Sequence, residues 1–168
     1  MDERRRLMTT CAFTGHRSIK ESHKRQLPSL LARAIAYAYE QGCRRFIAGG
    51  ALGFDTEAAR AVLLFRMEHP DVSLSLYLPC TNQDEKWSDR QRVNYSFTVT
   101  EADEVVYVSE EYSKGCMKAR NQAMVDACDM LIAYVGHGRS GSSQTLRLAR
   151  ESGKPSYNLY FELEKGSK

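Results

Sequence analysis

The hydrophobic positions fall into short runs separated by longer stretches with helical spacing. Thr9–Phe13 (TTCAF) is a short run that stops at Thr14-Gly15. After it Leu27, Leu30, Leu31, Ala34, Ile35 and Ala38 share one stripe at the spacing of a helix face, and Gly42 closes that helix. Pro28 suits its first turn, while Ser18 and Glu21 offer an earlier capping box. Arg45–Ala48 predicts a second strand and Thr56–Glu68 a second helix. Val72–Leu78 alternates into a third strand that ends at Pro79, and Asp84–Glu101 predicts a helix with Trp87, Val93, Asn94 and Phe97 at loose spacing. Glu104–Val108, Met130–Val135 and Pro155–Tyr160 read as strands. Met117–Cys128 and Ser143–Glu151 read as helices, and Gly153 follows the last one.

Strands alternating with helices along the chain predict an α/β fold: a Rossmann-like, doubly wound, mostly parallel sheet with helices on both faces. The 168 residues are expected to form one domain, with residues 1–8 and 162–168 as frayed ends.

An open parallel sheet binds ligands beyond the carboxyl ends of its strands, where helix N-termini present free amides. Unusual residues gather in those loops. The first loop is Thr14-Gly15-His16-Arg17, the second carries Gly49, Gly50 and Gly53, and the fifth runs from Gly136 to Ser143. Three glycine-bearing loops on one rim point to an anion or a nucleotide phosphate. Each piece also has a plainer reading. The glycine turn serves a tight strand–helix connection, or it admits a phosphate or ribose to the second helix. On the latter reading Gly53→Ala loses ligand and keeps the fold. Asp55 is an N-terminal charge, or it holds a ribose hydroxyl. Arg17 and His16 are turn residues, or a phosphate fork and a hydrogen-bond donor. Gly141-Ser142-Ser143 is a plain helix start or an anion nest. Asn121 lies on the stripe Met117, Asn121, Met124, Val125, Cys128 that faces the core, so its amide either pins a loop or reaches a ligand.

Trp87 reads as core or rim packing before a base-stacking platform, and Tyr112 as a weaker stacking candidate. His23, His69 and His137 have no metal-ligand spacing and read as surface residues. Cys116 lacks an evident activating base.

Composition narrows the classes. Lys+Arg of 24 against Asp+Glu of 21 gives a net charge of +3 with scattered charges, and the cluster Arg4–Arg6 reads as a solvated tail. A single-strand binder needs a basic groove with aromatic platforms, so nucleic acid is expected to be an unlikely partner. Five cysteines without CxxC spacing suggest neither a disulfide framework nor a zinc cluster. No apolar stretch nears the roughly 18 residues of a membrane helix, and no secretory signal fits. A reduced, cytoplasmic protein is expected.

The motifs FTGHR (13–17), FIxGGALGFD (46–55), YxxGCMxxRNxxMVD (112–126) and GxGxSGS (136–142) together resemble the YpsA-like family of the SLOG superfamily, named from DprA/SMF and LOG proteins. The resemblance spans about Thr9 to Tyr160. It implies a Rossmann-like bacterial protein that binds a nucleotide or nucleotide-derived ligand, with NAD or ADP-ribose as candidates. The implied role is a sensor or effector in stress or cell-division physiology, without an assigned reaction, and homodimers are a superfamily expectation. The implied binding residues are Thr14, Gly15, His16, Arg17, Gly49, Gly50, Gly53, Asp55, Arg120, Asn121, Gly141 and Ser142. Two alternatives follow from the same superfamily: a nucleotide N-glycosidase related to LOG proteins, and a single-stranded DNA-binding module like DprA. The LOG pattern places a glutamate where this chain has Thr145. The fifth loop also departs from the usual Gly-Gly-Thr: Ser140 carries a Cβ where a positive φ would strain it.

Overall fold

The computed structural model describes residues 8–166. The Arg4–Arg6 cluster lies outside them, as do residues 167 and 168 of the expected frayed end. Strands β1 (Thr10–Gly15), β2 (Arg45–Ala48), β3 (Ser73–Leu78), β4 (Glu104–Tyr107), β5 (Met130–Tyr134) and β6 (Ser156–Asn158) form one sheet in the order β4-β3-β2-β1-β5-β6. Every pairing between neighbours is parallel. The fold is the expected Rossmann-like α/β architecture. The chain builds outward from β1 through β4 and then returns to the other side of β1, so the topology switches between β1 and β5.

Helices α1 (Leu27–Glu40), α2 (Phe54–Glu68), α3 (Asp89–Glu101), α4 (Cys116–Ala127), α5 (Gly141–Glu151) and α6 (Tyr160–Gly166) complete the layers. Period-2 alternation sends successive strand residues to opposite cores. Phe13, Phe46, Ile132 and Tyr134 meet Leu31, Ile35, Phe54, Val62 and Leu163 on one face. Ala12, Ile47, Leu131 and Ala133 meet Met124, Val125, Leu146 and Ala149 of α4 and α5 on the other. Near-continuous apolar strands therefore mark a sheet covered on both sides.

The boundaries differ where local chemistry overrides periodicity. Helix α3 starts at Asp89 because Ser88 caps it: the Ser88 hydroxyl accepts from the Gln91 amide, and the Gln91 side chain accepts from the Ser88 amide. The Ser18–Glu21 box does not form, and a 3₁₀ turn at Glu21–His23 takes its place. Residues 162–166, expected to fray, belong to α6, where Leu163 is buried. His23, expected at the surface, is fully buried. Its Nδ1 lies 2.6 Å from the Tyr134 hydroxyl. Its Nε2 is 3.1 Å from the Glu164 carboxylate, a close contact without hydrogen-bond alignment, and Lys20 shares that oxygen at 2.6 Å. This cluster clamps α6 over the first loop.

Candidate functional site

The register pairs Gly15 with Tyr134, so the loops leaving β1 and β5 diverge from adjacent strand ends. A cavity of about 330 Å³ opens there. Nine of the expected binding residues line it: Thr14, Gly15, His16, Arg17, Asp55, Arg120, Asn121, Gly141 and Ser142. Gly50 and Gly53 line a neighbouring cavity of about 280 Å³, and Arg17 and Asp55 border both.

His16 ties the two loops together. Its amide donates to the Tyr134 carbonyl at 3.1 Å, and its Nε2 accepts from the Gly136 amide at 2.8 Å. A nitrogen that accepts from a backbone N–H carries no proton, so the neutral ring holds its hydrogen on Nδ1. That Nδ1 faces the Ser142 hydroxyl at 3.3 Å. Burial lowers the His16 pKa and keeps the imidazole neutral.

Ser140 begins α5. Its φ of −157° is extended backbone, so the strain expected of a serine at this position does not arise. Its hydroxyl accepts from the Ser143 amide, and its amide donates to the Ser143 hydroxyl, forming a capping box. The Gln144 amide is taken by the Ser140 carbonyl. Gly141 and Ser142 hold the first two helical positions, whose amides have no intrahelical acceptor, and both border the cavity.

Arg120, rather than its neighbour Asn121, is the buried polar residue of α4. Its guanidinium donates to the Gly49 carbonyl, and its Nε donates to Asn121 Oδ1 at 2.8 Å. The Asn121 amide is thereby oriented with its nitrogen toward the mouth, and Nδ2 would lie 3.9 Å from a Cβ on Gly141. Asp55 is buried on α2, where its carboxylate accepts from the Ala51 amide at 3.2 Å. Burial pushes its pKa up to about 6 against the opposing pull of Arg120, the Ala51 amide and Arg17.

The glycine turn works differently from the open passage expected of it. A Cβ on Gly49 would lie 2.6 Å from Arg120 Nη1 and 2.7 Å from Asp55 Oδ2, so this glycine makes room for two protein side chains. Gly53 has φ +79°, and a Cβ there would lie 2.2 Å from the Arg17 carbonyl oxygen. The Phe54 amide next to it donates to the His16 carbonyl at 3.0 Å. The chain itself fills these spaces, which corrects the expectation that Gly53→Ala would leave the fold intact.

The second cavity also takes residues that no sequence motif singles out, among them Gln91 and Tyr95. Trp87 is half-buried on its wall, with Gln91, Asn94 and Tyr95 of α3 beside it. The available signal was the weak periodicity of α3, which buries no residue fully. Tyr112 is exposed and borders neither cavity. A separate groove of about 440 Å³ between α2 and α3 is lined by Leu63, Leu64, Met67 and Phe97 and lacks the loop residues of the switch point. Among the described residues no helix is long and apolar enough to cross a membrane.

Comparison with known proteins places these features. The model of the YspA SLOG family matches residues 11–161. The SPbeta prophage-derived protein YoqJ of Bacillus subtilis is 31% identical over 120 residues, covering 64% of this chain and 70% of YoqJ. The DNA processing protein A (DprA) of Helicobacter pylori, whose solved structure is described as giving insight into a unique single-stranded DNA binding mode, superposes with a TM-score of 0.63 at 24% identity. That match covers 95% of this chain and 73% of the other. DprA of Streptococcus pneumoniae superposes with a TM-score of 0.61 at 17% identity over 88% of this chain, which spans about half of that protein (49%).

The DprA likeness overturns the expectation that nucleic acid is an unlikely partner. That expectation rested on a net charge summed over the whole chain. Nucleic acid is met by a local surface, and a fold of this kind occurs in a protein whose structure is described by its single-stranded DNA binding mode.

Proposed function

The chain belongs to the YspA SLOG family, and from that premise we propose that it binds a nucleotide by its phosphate in the cavity between β1 and β5, as a sensor or effector rather than through a reaction. The observation that carries this reading is the convergence of hydrogen-bond donors. The first two amides of α5, the Ser142 hydroxyl that accepts from His16 Nδ1–H, the Asn121 amide and the exposed Arg17 guanidinium all border one space. Donors without matching acceptors suit an oxyanion, and the helix N-terminus adds its positive end. Asp55 supplies the acceptor that a ribose hydroxyl requires. NAD and ADP-ribose carry both groups.

A second reading has its own support. The likeness to DprA makes a nucleotide unit of single-stranded DNA the other source of the same phosphate and sugar.

Gly141→Leu tests the phosphate site. A Cβ at Gly141 meets only Asn121 Nδ2, at 3.9 Å, so the side chain enters the cavity mouth without disturbing the fold. Calorimetric titration with AMP, ADP-ribose and a short oligodeoxyadenylate is expected to show binding to the unaltered chain and its loss in the variant, at unchanged thermal stability. Equal binding by both proteins contradicts the proposal.

A further inference from the structure

We infer that the second cavity is a base compartment: a nucleoside phosphate lies across both cavities, its base against Trp87 and its ribose beside Arg17 and Asp55. This rests on the phosphate site proposed above.

The direction follows from charge. Besides Arg17 and Arg60, the second cavity presents the carboxylates of Asp55 and Glu57, and Glu57 is held in an ion pair with Arg60 at 3.4 Å. The four charges cancel, whereas the first cavity holds the free α5 amides and the positive end of the helix, so the phosphate gains more there and the uncharged end of the ligand takes the second cavity. Arg17 and Asp55 border both spaces, so the two cavities adjoin and one ligand can be held by both.

The walls suit a heterocycle. Tyr95 meets the Trp87 ring edge-on, with centroids 5.1 Å apart at 74°. A near-perpendicular contact covers at most one face of the indole and leaves the other for stacking. Hydrogen-bonding edges come from α3. The Gln91 oxygen is committed to the Ser88 amide, which turns the Gln91 nitrogen outward as a donor. Asn94, one turn further along, adds an amide with both a donor and an acceptor. An aromatic face flanked by amide edges is the chemistry that recognises a base in single-stranded or free form. Trp87 and its α3 neighbours thereby become specificity residues of the site.

Trp87 is the only tryptophan in the chain, so its fluorescence reports this compartment alone. The full chain is titrated with AMP, with ribose 5-phosphate and with a short oligodeoxyadenylate at several salt concentrations, following emission and heat. AMP is expected to quench Trp87 and to bind about tenfold or more tighter than ribose 5-phosphate, the gain that base stacking supplies. Ribose 5-phosphate binds without quenching. Trp87→Ala is expected to bring AMP down to the affinity of ribose 5-phosphate and to leave the latter unchanged, while Trp87→Phe retains most of the gain. Thermal denaturation of both variants checks the fold. Quenching by the oligonucleotide but not by AMP, weakening steeply with salt, keeps the base compartment and assigns it to a DNA strand. Equal affinities for AMP and ribose 5-phosphate with no quenching overturn the inference and leave the phosphate site standing. If none of the three binds, the phosphate site falls and takes the base compartment with it.

Discussion

Gly53→Ala probes the joint between the first two loops. Gly53 adopts φ +79° and ψ −120°, a region that residues with a Cβ avoid, at a cost of about 1–3 kcal/mol. A Cβ built there lies 2.2 Å from the Arg17 oxygen and 2.6 Å from the His16 oxygen. Both are backbone atoms, so relief requires the β1 loop to move. Such movement breaks the 3.0 Å bond from the Phe54 amide to the His16 carbonyl, which is worth about 1 kcal/mol. The combined loss is about 2–4 kcal/mol, a large part of the ~5–15 kcal/mol that stabilises a typical domain. At a urea slope near 2 kcal/mol/M the unfolding midpoint falls by about 1–2 M. Gly141→Ala is the matched control: it adds a Cβ to a helical position with open space beside it and is expected to hold or raise the midpoint. Unfolding of Gly53→Ala at the same urea concentration as the unaltered chain would show that a Cβ is accommodated there without cost.

Three further outcomes are expected. Ser140→Ala removes the N-cap of α5 and costs about 1 kcal/mol, read as a fall of about 2–4 °C in Tm; Ser140→Gly costs only a few tenths. The Asp55 pKa is raised in the folded state from 3.8 to about 6, so its contribution to stability is fully present below pH 4 and is lost as pH rises to 6. Relative to Asp55→Asn, the unaltered chain therefore loses about 3 kcal/mol across that window, and parallel urea-stability profiles would count against the assignment. Nitrogen-15 NMR at pH 7.5 is expected to find the His16 proton on Nδ1; a proton on Nε2 would break the link to Gly136.

The fold was legible because β1, β2 and β5 are buried on both faces, and α1 carries an unbroken apolar stripe. The ends of elements were less so. A serine cap moved the start of α3, and α6 owes its place to one buried leucine and to the contacts of Glu164 with Lys20 and His23, more than a hundred positions away. The rim motifs identified the residues of the first cavity as a set. Their division of labour was hidden, because Gly49 and Gly53 serve close approaches between parts of the chain that only the fold brings together. Burial of Arg120 was hidden for the same reason: its acceptor, the Gly49 carbonyl, is 71 positions away. Trp87 was placed on the predicted helix Asp84–Glu101, but the cap at Ser88 leaves it just before α3, on the wall of the second cavity.

The same geometry bears on the glycosidase alternative. Cleavage of a glycosidic bond calls on carboxylates to assist the leaving group and to activate water, commonly as a pair. At the position of the LOG glutamate this chain has Thr145, which is buried and donates to the Gly141 carbonyl at 2.8 Å. It carries no charge. Among the residues bordering the first cavity, Asp55 is the one carboxylate. The Ala51 amide holds it, Arg120 stands across Gly49 from it, and its pKa of about 6 leaves it mostly ionised at pH 7.5. A lone ionised carboxylate can accept from a ribose hydroxyl, but it has no proton to give the departing base. AMP held with the protein at pH 7.5 is therefore expected to stay intact by chromatography, and Asp55→Asn to change its affinity only. Release of adenine that disappears in Asp55→Asn would reverse the assignment and make Asp55 the base that activates water.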